Sequence, residues 1–270
     1  MKSISEILEK NSGANRASLA VFISCGDPDM AFAEKLVRAV CEAGADIVEL
    51  GVPFSDPMAD GPTIQAAGQR AIASGATLEK TLEMSGRLRA GGIETPFVLF
   101  SYYNPIFKAG LERAARLSRE NGVNAWLVVD VPLEESGEIS GELERNGIGL
   151  IPLASPMSDA GRVREISESG SGFLYYVTVA GVTGARKSLP PEFAEKLAEV
   201  RAASALPVAA GFGISSPEMA HAAALSADAV VVGSALVDLA FREYRENGEE
   251  AALSAASEFV GELSKSMRRG

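Results

Sequence analysis

Eight times along its 270 residues the chain passes from a short apolar run into a Gly/Pro loop and then into an amphipathic stretch. The runs are residues 19–24 (LAVFIS), 46–50 (DIVEL), 96–101 (PFVLFS), 125–130 (AWLVVD), 148–152 (IGLIP), 172–179 (GFLYYVTV), 206–210 (LPVAA) and 228–232 (DAVVV). Each is rich in β-branched or aromatic residues and too short for a helix, so each reads as a strand. Near-continuous apolarity implies burial on both faces, the pattern of a parallel sheet covered by helices. Between the runs, as at 30–43 and 192–203, apolar residues recur every three or four positions, the period of a helix packed on one side. Eight such units over this length predict an α/β fold, a single (β/α)8 barrel of the TIM type. Residues 1–270 are expected to form one domain, because no low-complexity linker or shift in composition divides them. Extra helices are expected at the N-terminus (3–11), after the second strand (78–90) and at the C-terminus (249–267).

Every strand exits into loop chemistry: CGDP (25–28), GVPFSDP (51–57), YYNP (102–105), VP (131–132), ASP (154–156), AGVTGAR (180–186), GFG (211–213) and GS (233–234). Active sites of such barrels lie on this C-terminal face. Glycine lets backbone approach a ligand and proline pins a loop. Turn chemistry alone accounts for most of the prolines, but not for the acids found in and beside the longest exits.

Glu49 is the first of these. It lies inside DIVEL, and strand alternation puts it on the same face as Ile47. If that face is the barrel interior, the carboxyl loses its water and its protonated form is favoured. A carboxyl poised between protonation states suits general acid–base catalysis. The other reading is a structural carboxylate satisfied by backbone N–H groups or an arginine. Asp60 is the second acid, in the exit loop of the same strand, which also contains Asp56. It is a candidate catalytic group, or else a cap for a helix starting at Pro62.

The last three exits are glycine-rich, at 181–184, 211–213 and 233–234. Loops after strands seven and eight, together with a helix N-terminus, form the recurrent phosphate site of these barrels. Backbone N–H groups and the helix dipole hold a dianion without lysine. The stretch 180–188 (AGVTGARKS) reads as a lid over the site, or as an ordinary flexible loop. Phe22, Phe100, Tyr102, Tyr175 and Phe212 lie near the exits, as core or as the wall of a flat apolar pocket.

Composition narrows the partners. The formal net charge of −11 argues against nucleic acid and anionic membranes, and leaves any anionic substrate to local groups. Two cysteines, Cys25 and Cys41, have no metal spacing, and His221 is the one histidine, so no metal site is expected. The cysteines read as reduced thiols of a cytoplasmic protein. The opening MKSISEILEK has no apolar signal core, and no apolar run reaches the ~20 residues of a membrane helix. His221 reads as a surface or packing residue, Trp126 as strand-to-helix packing, and 243–250 as a solvated turn between helices.

ELGVPFSDPMADGPTIQ (49–65) closely resembles the signature of the tryptophan synthase alpha-subunit family. SYYNPIF (101–107), DVPLEES (130–136), GFLYYVTVAGVTGAR (172–186), GFGIS (211–215) and ADAVVVGSALV (227–237) resemble further family segments, in family order. The resemblance implies a lyase that splits indole-3-glycerol phosphate into indole and glyceraldehyde 3-phosphate by retro-aldol cleavage, in tryptophan biosynthesis. Glu49 would protonate indole C3 and assist loss of the C3′ hydroxyl proton, and Asp60 would hydrogen-bond the indole N–H. Gly184, Gly213, Gly233 and Ser234 would hold the phosphate. Phe22, Phe100, Leu127, Tyr175 and Phe212 would surround the indole, with Tyr102 beside them, and Thr183 on the lid would close onto Asp60. The resemblance also implies a pyridoxal-phosphate-dependent beta subunit as partner in an alpha2beta2 complex, with no cofactor in this chain. Pro53, Asp56, Pro57, Asn104, Pro105, Phe107, Pro132 and Leu133 would form the docking face, since prolines and aromatics on one rim suit an interface.

The chain departs from the family pattern at Ala109, Asn124, Ala125, Val129 and Ala210, none of them an acid or a phosphate glycine. A related indole-3-glycerol-phosphate synthase would want a strand-end lysine, and a pentose-phosphate epimerase metal ligands. No strand end here carries such a lysine, and a single histidine is too few for the metal. A stand-alone lyase and a non-catalytic barrel that activates a partner remain as alternatives.

Overall fold

The structure is a computed structural model that describes residues 2–177, 189–211 and 213–269. Among these residues the strands are β1 (Ser18–Ser24), β2 (Ile47–Gly51), β3 (Phe97–Ser101), β4 (Ala125–Val128), β5 (Gly149–Leu150), β6 (Leu153–Ala154), β7 (Leu174–Val177), β8 (Val208–Gly211) and β9 (Ala229–Val232). They form one parallel sheet in the order β5-β4-β3-β2-β1-β9-β8-β7-β6. The two ends of that order are neighbours in the chain, with Ile151 and Pro152 between them. The Ile151 N–H donates to Trp126 on one side at 2.7 Å, and the Pro152 carbonyl accepts from Tyr175 on the other at 2.8 Å. β5 and β6 are therefore halves of one strand over 149–154, which runs two residues past the expected 148–152 run. Proline has no N–H for the ladder, and the strand is interrupted where Pro152 sits. Through this shared strand the sheet closes into the (β/α)8 barrel.

The described helices are α1 (Ile4–Gly13), α2 (Met30–Glu42), α3 (Pro62–Ala73), α4 (Leu78–Ala90), α5 (Tyr103–Ala109), α6 (Leu111–Glu120), α7 (Ser136–Arg145), α8 (Ala160–Glu168), α9 (Phe193–Ala203), α10 (Pro217–Ala224), α11 (Ser234–Asn247) and α12 (Glu249–Ser266). The expected extra helices are α1, α4 and α12, and the two helices read at 30–43 and 192–203 are α2 and α9. Several starts are fixed by their own side chains, as by Asp29 for α2, Thr77 for α4, Asp159 for α8 and Ser216 for α10. No described helix is long and apolar enough to cross a membrane.

Alternation divides the strands between two cores. Leu19, Val21, Ile23, Val48 and Leu50 pack outward against the helices. Ala20, Ile47, Val98, Ala125, Leu127, Tyr175, Ala209, Ala229 and Val231 pack inward on one another, with Ile4 and Leu8 of α1. α1 closes the end of the barrel opposite the exits. There Gly172 precedes β7 at φ +78°, and a Cβ on it would stand 2.9 Å from Ile151 and 3.4 Å from Ile4.

Three strand starts share one device. Asp46, Asn124 and Asp228 each precede a strand and each accept an N–H from the first or second residue of the neighbouring one. These donors are Leu19 at 2.8 Å, Phe97 at 2.9 Å and Val208 at 2.9 Å. Each acceptor also takes an arginine: Arg16 at 3.1 Å, Arg89 at 3.1 Å and Arg201 at 2.7 Å. This explains why β2 and β9 begin one residue later than the apolar runs suggest. It also gives the departure at Asn124 a role, because its carboxamide oxygen serves the N–H and its NH2 donates to the Lys2 carbonyl at 3.0 Å. Ala109, Ala125, Val129 and Ala210 fill core positions.

Candidate active site

A cavity of about 340 Å³ opens at the C-terminal end of the barrel. That is room for a small ligand. Its floor is built from inward positions: Phe22 on β1, Glu49 on β2, Phe100 on β3, Tyr175 on β7 and Val231 on β9. Glu49 is fully buried, and Ile47 lies in the interior cluster, as alternation requires. Its strand neighbours in register are Phe22 and Val98, so the carboxyl stands between apolar residues. Among the described residues neither of its oxygens has a hydrogen-bond partner. Loss of water raises its pKa to about 8, which leaves the group protonated at neutral pH. A structural carboxylate would have a pairing N–H or arginine, and the described residues offer Glu49 neither.

Asp60 faces the same cavity from the loop before α3. It does not cap that helix: Gly61 holds the cap position and no side chain fills it. The Asp60 backbone is held instead, its N–H donating to Pro57 at 3.1 Å and its carbonyl accepting from Gln65 at 2.9 Å. Burial raises the Asp60 carboxyl to about pKa 6, against the opposing pull of the Tyr102 hydroxyl beside it. Asp56 is exposed and its carboxylate pairs with Ser55, so of the two aspartates Asp60 reaches the cavity. At neutral pH one acid is therefore neutral and the other ionised, the division that separates a proton donor from an electrostatic stabiliser.

The opposite wall carries Gly213, Ile214, Ser215, Gly233, Ser234 and Ala235. α11 starts here with Gly233 at its cap position and no side-chain cap, so its first N–H groups are available to an anion. Gly213 has φ +81°, a backbone that suits glycine. Asp238, one turn into α11, lines the same wall. Among the described residues no lysine or arginine lines the cavity, so an anion here would be held by backbone dipoles.

The aromatic expectations divide. Phe22 and Phe100 meet edge to face at 5.1 Å and line the cavity with Tyr175. Two glycines make room for them. A Cβ on Gly51 would come within 2.3 Å of the Phe22 ring, and one on Gly211 within 2.5 Å of the Tyr175 hydroxyl. Leu127 is buried in the barrel interior and is not part of the cavity wall. Tyr102 is not on that wall either, but lines a smaller cavity of about 20 Å³ behind Asp60. Thr183, Gly184, Phe212 and the lid at 180–188 lie outside the described residues. The sequence reading missed Gly61, Thr63, Ile64, Ile214, Ser215, Val231, Ala235 and Asp238. Val231 was legible as an inward position of 228–232, and Ile64 as one helical turn beyond Asp60.

The rim combines the proline-rich exits. Asp56, Asn104 and Pro132 are exposed, Pro53, Pro57, Pro105 and Leu133 are half-buried, and Phe107 is 68% exposed. Met58, next to Pro57 in the β2 exit, and Met157, after β6, are 85% and 86% exposed. Tyr103 donates its N–H to Asp130 at 2.8 Å, and Arg162 pairs with Glu134, which ties neighbouring exits together.

Other candidates have structural roles. His221 meets the Ser266 carbonyl at 3.0 Å on the surface, and Trp126 donates to Ser118 of α6 at 3.0 Å. Residues 243–250 turn at Gly248 between α11 and α12. Cys25 and Cys41 are unbridged, and burial raises Cys25 to about 12 and Cys41 to about 11. No group of three or more His, Cys, Asp or Glu among the described residues is placed to hold a metal ion.

With this geometry in place, similarity to known proteins becomes specific. The family model described as tryptophan synthase alpha chain matches residues 8–268. The tryptophan synthase alpha chain of Geobacter sp. (strain M21) is 48% identical over 270 residues, which cover 100% of this chain and 99% of that one. That of Geobacter sulfurreducens is 49% identical over 251 residues, covering 92% and 94%. Tryptophan synthase subunit alpha from Legionella pneumophila superposes with a TM-score of 0.91 at 34% identity, covering 99% of this chain and 98% of that one. A chain of Mycobacterium tuberculosis tryptophan synthase superposes with a TM-score of 0.89 at 30% identity, covering 100% of both.

Proposed function

The chain belongs to the tryptophan synthase alpha chain family, and from that premise we propose how its own residues perform the family's lyase reaction. Its activity is cleavage of indole-3-glycerol phosphate to indole and glyceraldehyde 3-phosphate. The observation that carries the assignment of residues is Glu49, a fully buried carboxyl on the cavity floor without a partner among the described residues.

Protonated Glu49 delivers its proton to indole C3, and positive charge develops across the ring. Asp60, ionised, accepts a hydrogen bond from the indole N–H and stabilises that charge. The Glu49 carboxylate then takes the proton of the C3′ hydroxyl. The C3–C3′ bond breaks, its electron pair returns to the ring, and the hydroxyl carbon becomes the aldehyde of glyceraldehyde 3-phosphate. Glu49 ends protonated, so the cycle needs no net proton. Gly233 and Ser234 hold the phosphate through the N–H groups at the start of α11, with Gly213 of the β8 exit and Gly184 as further contributors. Phe22, Phe100 and Tyr175 enclose the ring, and Thr183 and Phe212 complete the enclosure from the lid and the seventh exit.

The partner is the beta subunit of an alpha2beta2 tryptophan synthase, docking on the rim around Pro53, Asn104 and Phe107. Three large apolar side chains exposed on that rim, Met58, Phe107 and Met157, suit an interface better than solvent. Pyridoxal phosphate belongs to the beta subunit, and this chain, one domain over residues 1–270, works in the cytoplasm without a cofactor of its own.

The test is indole release from indole-3-glycerol phosphate with and without a tryptophan synthase beta subunit. Slow release that rises sharply with the partner is expected. Fast release indifferent to it would contradict the partnership, and no release in either condition would contradict the chemistry.

A further inference from the structure

We propose that Tyr102 is a positioning residue for Asp60, holding its carboxylate ionised and in place from the side away from the substrate. The inference rests on the role given to Asp60 above. Tyr102 begins the β3 exit, is 2% exposed and occupies the cap position of α5. Its ring packs on Phe54 of the β2 exit at a centroid distance of 5.1 Å. Its hydroxyl accepts the Ala59 N–H at 2.9 Å. One lone pair of the oxygen is thereby used, and the hydroxyl proton remains to turn toward the Asp60 carboxylate, which lines the same small cavity. Asp60 lines both the main cavity and the smaller one behind it, whereas Tyr102 lines the smaller one alone of the two. Tyr102 therefore approaches Asp60 from behind and leaves the front of the carboxylate to the ligand.

The surroundings make this donor consequential. Burial works against the charge of Asp60. Glu49 on β2, Tyr175 on β7 and Asp238 on α11 face the same cavity, and Asp130 at the β4 exit acts on Tyr102. None of these supplies a positive charge, and among the described residues no lysine or arginine lines the cavity. The Tyr102 hydroxyl is the group found to favour the ionised form. It also fixes the loop, because the same oxygen holds the backbone one residue before Asp60. The side chain read from sequence as part of the indole pocket thus acts through the acid and not on the ring.

The test uses Tyr102→Phe, which keeps the ring packing on Phe54, with Asp60→Asn and the double variant, assayed in complex with the beta subunit for indole release. Tyr102→Phe is expected to lower kcat about 10- to 100-fold, the rate equivalent of one hydrogen bond to a charged group. KM should change little, and the acid limb of the kcat–pH profile should move to higher pH. The double variant should be no slower than Asp60→Asn alone, since the hydroxyl acts through that carboxylate. If Tyr102→Phe folds poorly, 3-fluorotyrosine at position 102 keeps the hydroxyl as a stronger donor, and the acid limb should move to lower pH. An unmoved acid limb in either variant, or losses that add in the double variant, would overturn the role of Tyr102 alone. Wild-type turnover by Asp60→Asn would overturn the reading of Asp60 on which it depends.

Discussion

Replacing Glu49 with glutamine should make the protein more stable and inactive at once, and the size of the first effect follows from burial. The folded carboxyl has a pKa of about 8 against an ordinary 4.5. A raised folded-state pKa gives stability that is present in full below the unfolded value and is lost as pH rises to the folded one. Between those limits the folded protein holds one proton more than the unfolded chain. Stability therefore falls by about 1.4 kcal/mol for each pH unit. From pH 5 to pH 7.5 Glu49 alone removes about 3 kcal/mol. Glutamine does not titrate, so the variant lacks this slope, while every other ionisable group is common to the two proteins. Urea unfolding of both proteins at pH 5 and at pH 7.5 isolates the difference. The advantage of the variant should widen by about 3 kcal/mol toward the higher pH. Parallel stability–pH curves would show that Glu49 is ionised in the folded protein, and its role as proton donor would fall with them.

Further outcomes are expected from other sites. The pH profile of kcat/KM for indole release should be bell-shaped, with an acid limb near 6 from Asp60 and an alkaline limb near 8 from Glu49. Gly51→Ala brings a Cβ within 2.3 Å of the Phe22 ring. It should cost about 1–3 kcal/mol in unfolding free energy and raise KM as Phe22 is driven into the cavity. Asn124→Ala leaves the Phe97 N–H unpaired and takes one acceptor from Arg89. It should lower stability by about 1–3 kcal/mol in urea unfolding with kcat unchanged. Phe107→Asp should weaken binding of the beta subunit in titration calorimetry by about 1–3 kcal/mol, without changing the slow cleavage by the isolated chain.

Much of this was legible in the sequence because the signals are local. Apolar runs of strand length and glycine-rich exits reveal the barrel. Alternation within DIVEL puts Glu49 on the interior face beside Ile47, and the neighbours that leave it dry belong to β1 and β3. What stayed hidden depends on how distant segments meet. Local sequence favours Asp60 as a helix cap, and only the folded loop shows Gly61 at that position. Tyr102 reads as a pocket aromatic because it neighbours the exit, yet its hydroxyl points into the loop from another strand. Pro152 divides one strand in two, a break that an apolar run does not reveal. Asp46 and Asp228 read as first residues of their strands and Asn124 as a departure from the family pattern, until the partner strand and its arginine are in place.

The most direct test compares kcat/KM of the wild type and of Glu49→Gln for indole release, across pH 5 to 9 and in complex with the beta subunit. The variant should be slower by about 10²–10⁴-fold or more and should lose the alkaline limb near pH 8 while keeping the acid limb near pH 6. A variant that turns over at the wild-type rate, or that keeps the alkaline limb, would show that the proton at C3 comes from another group.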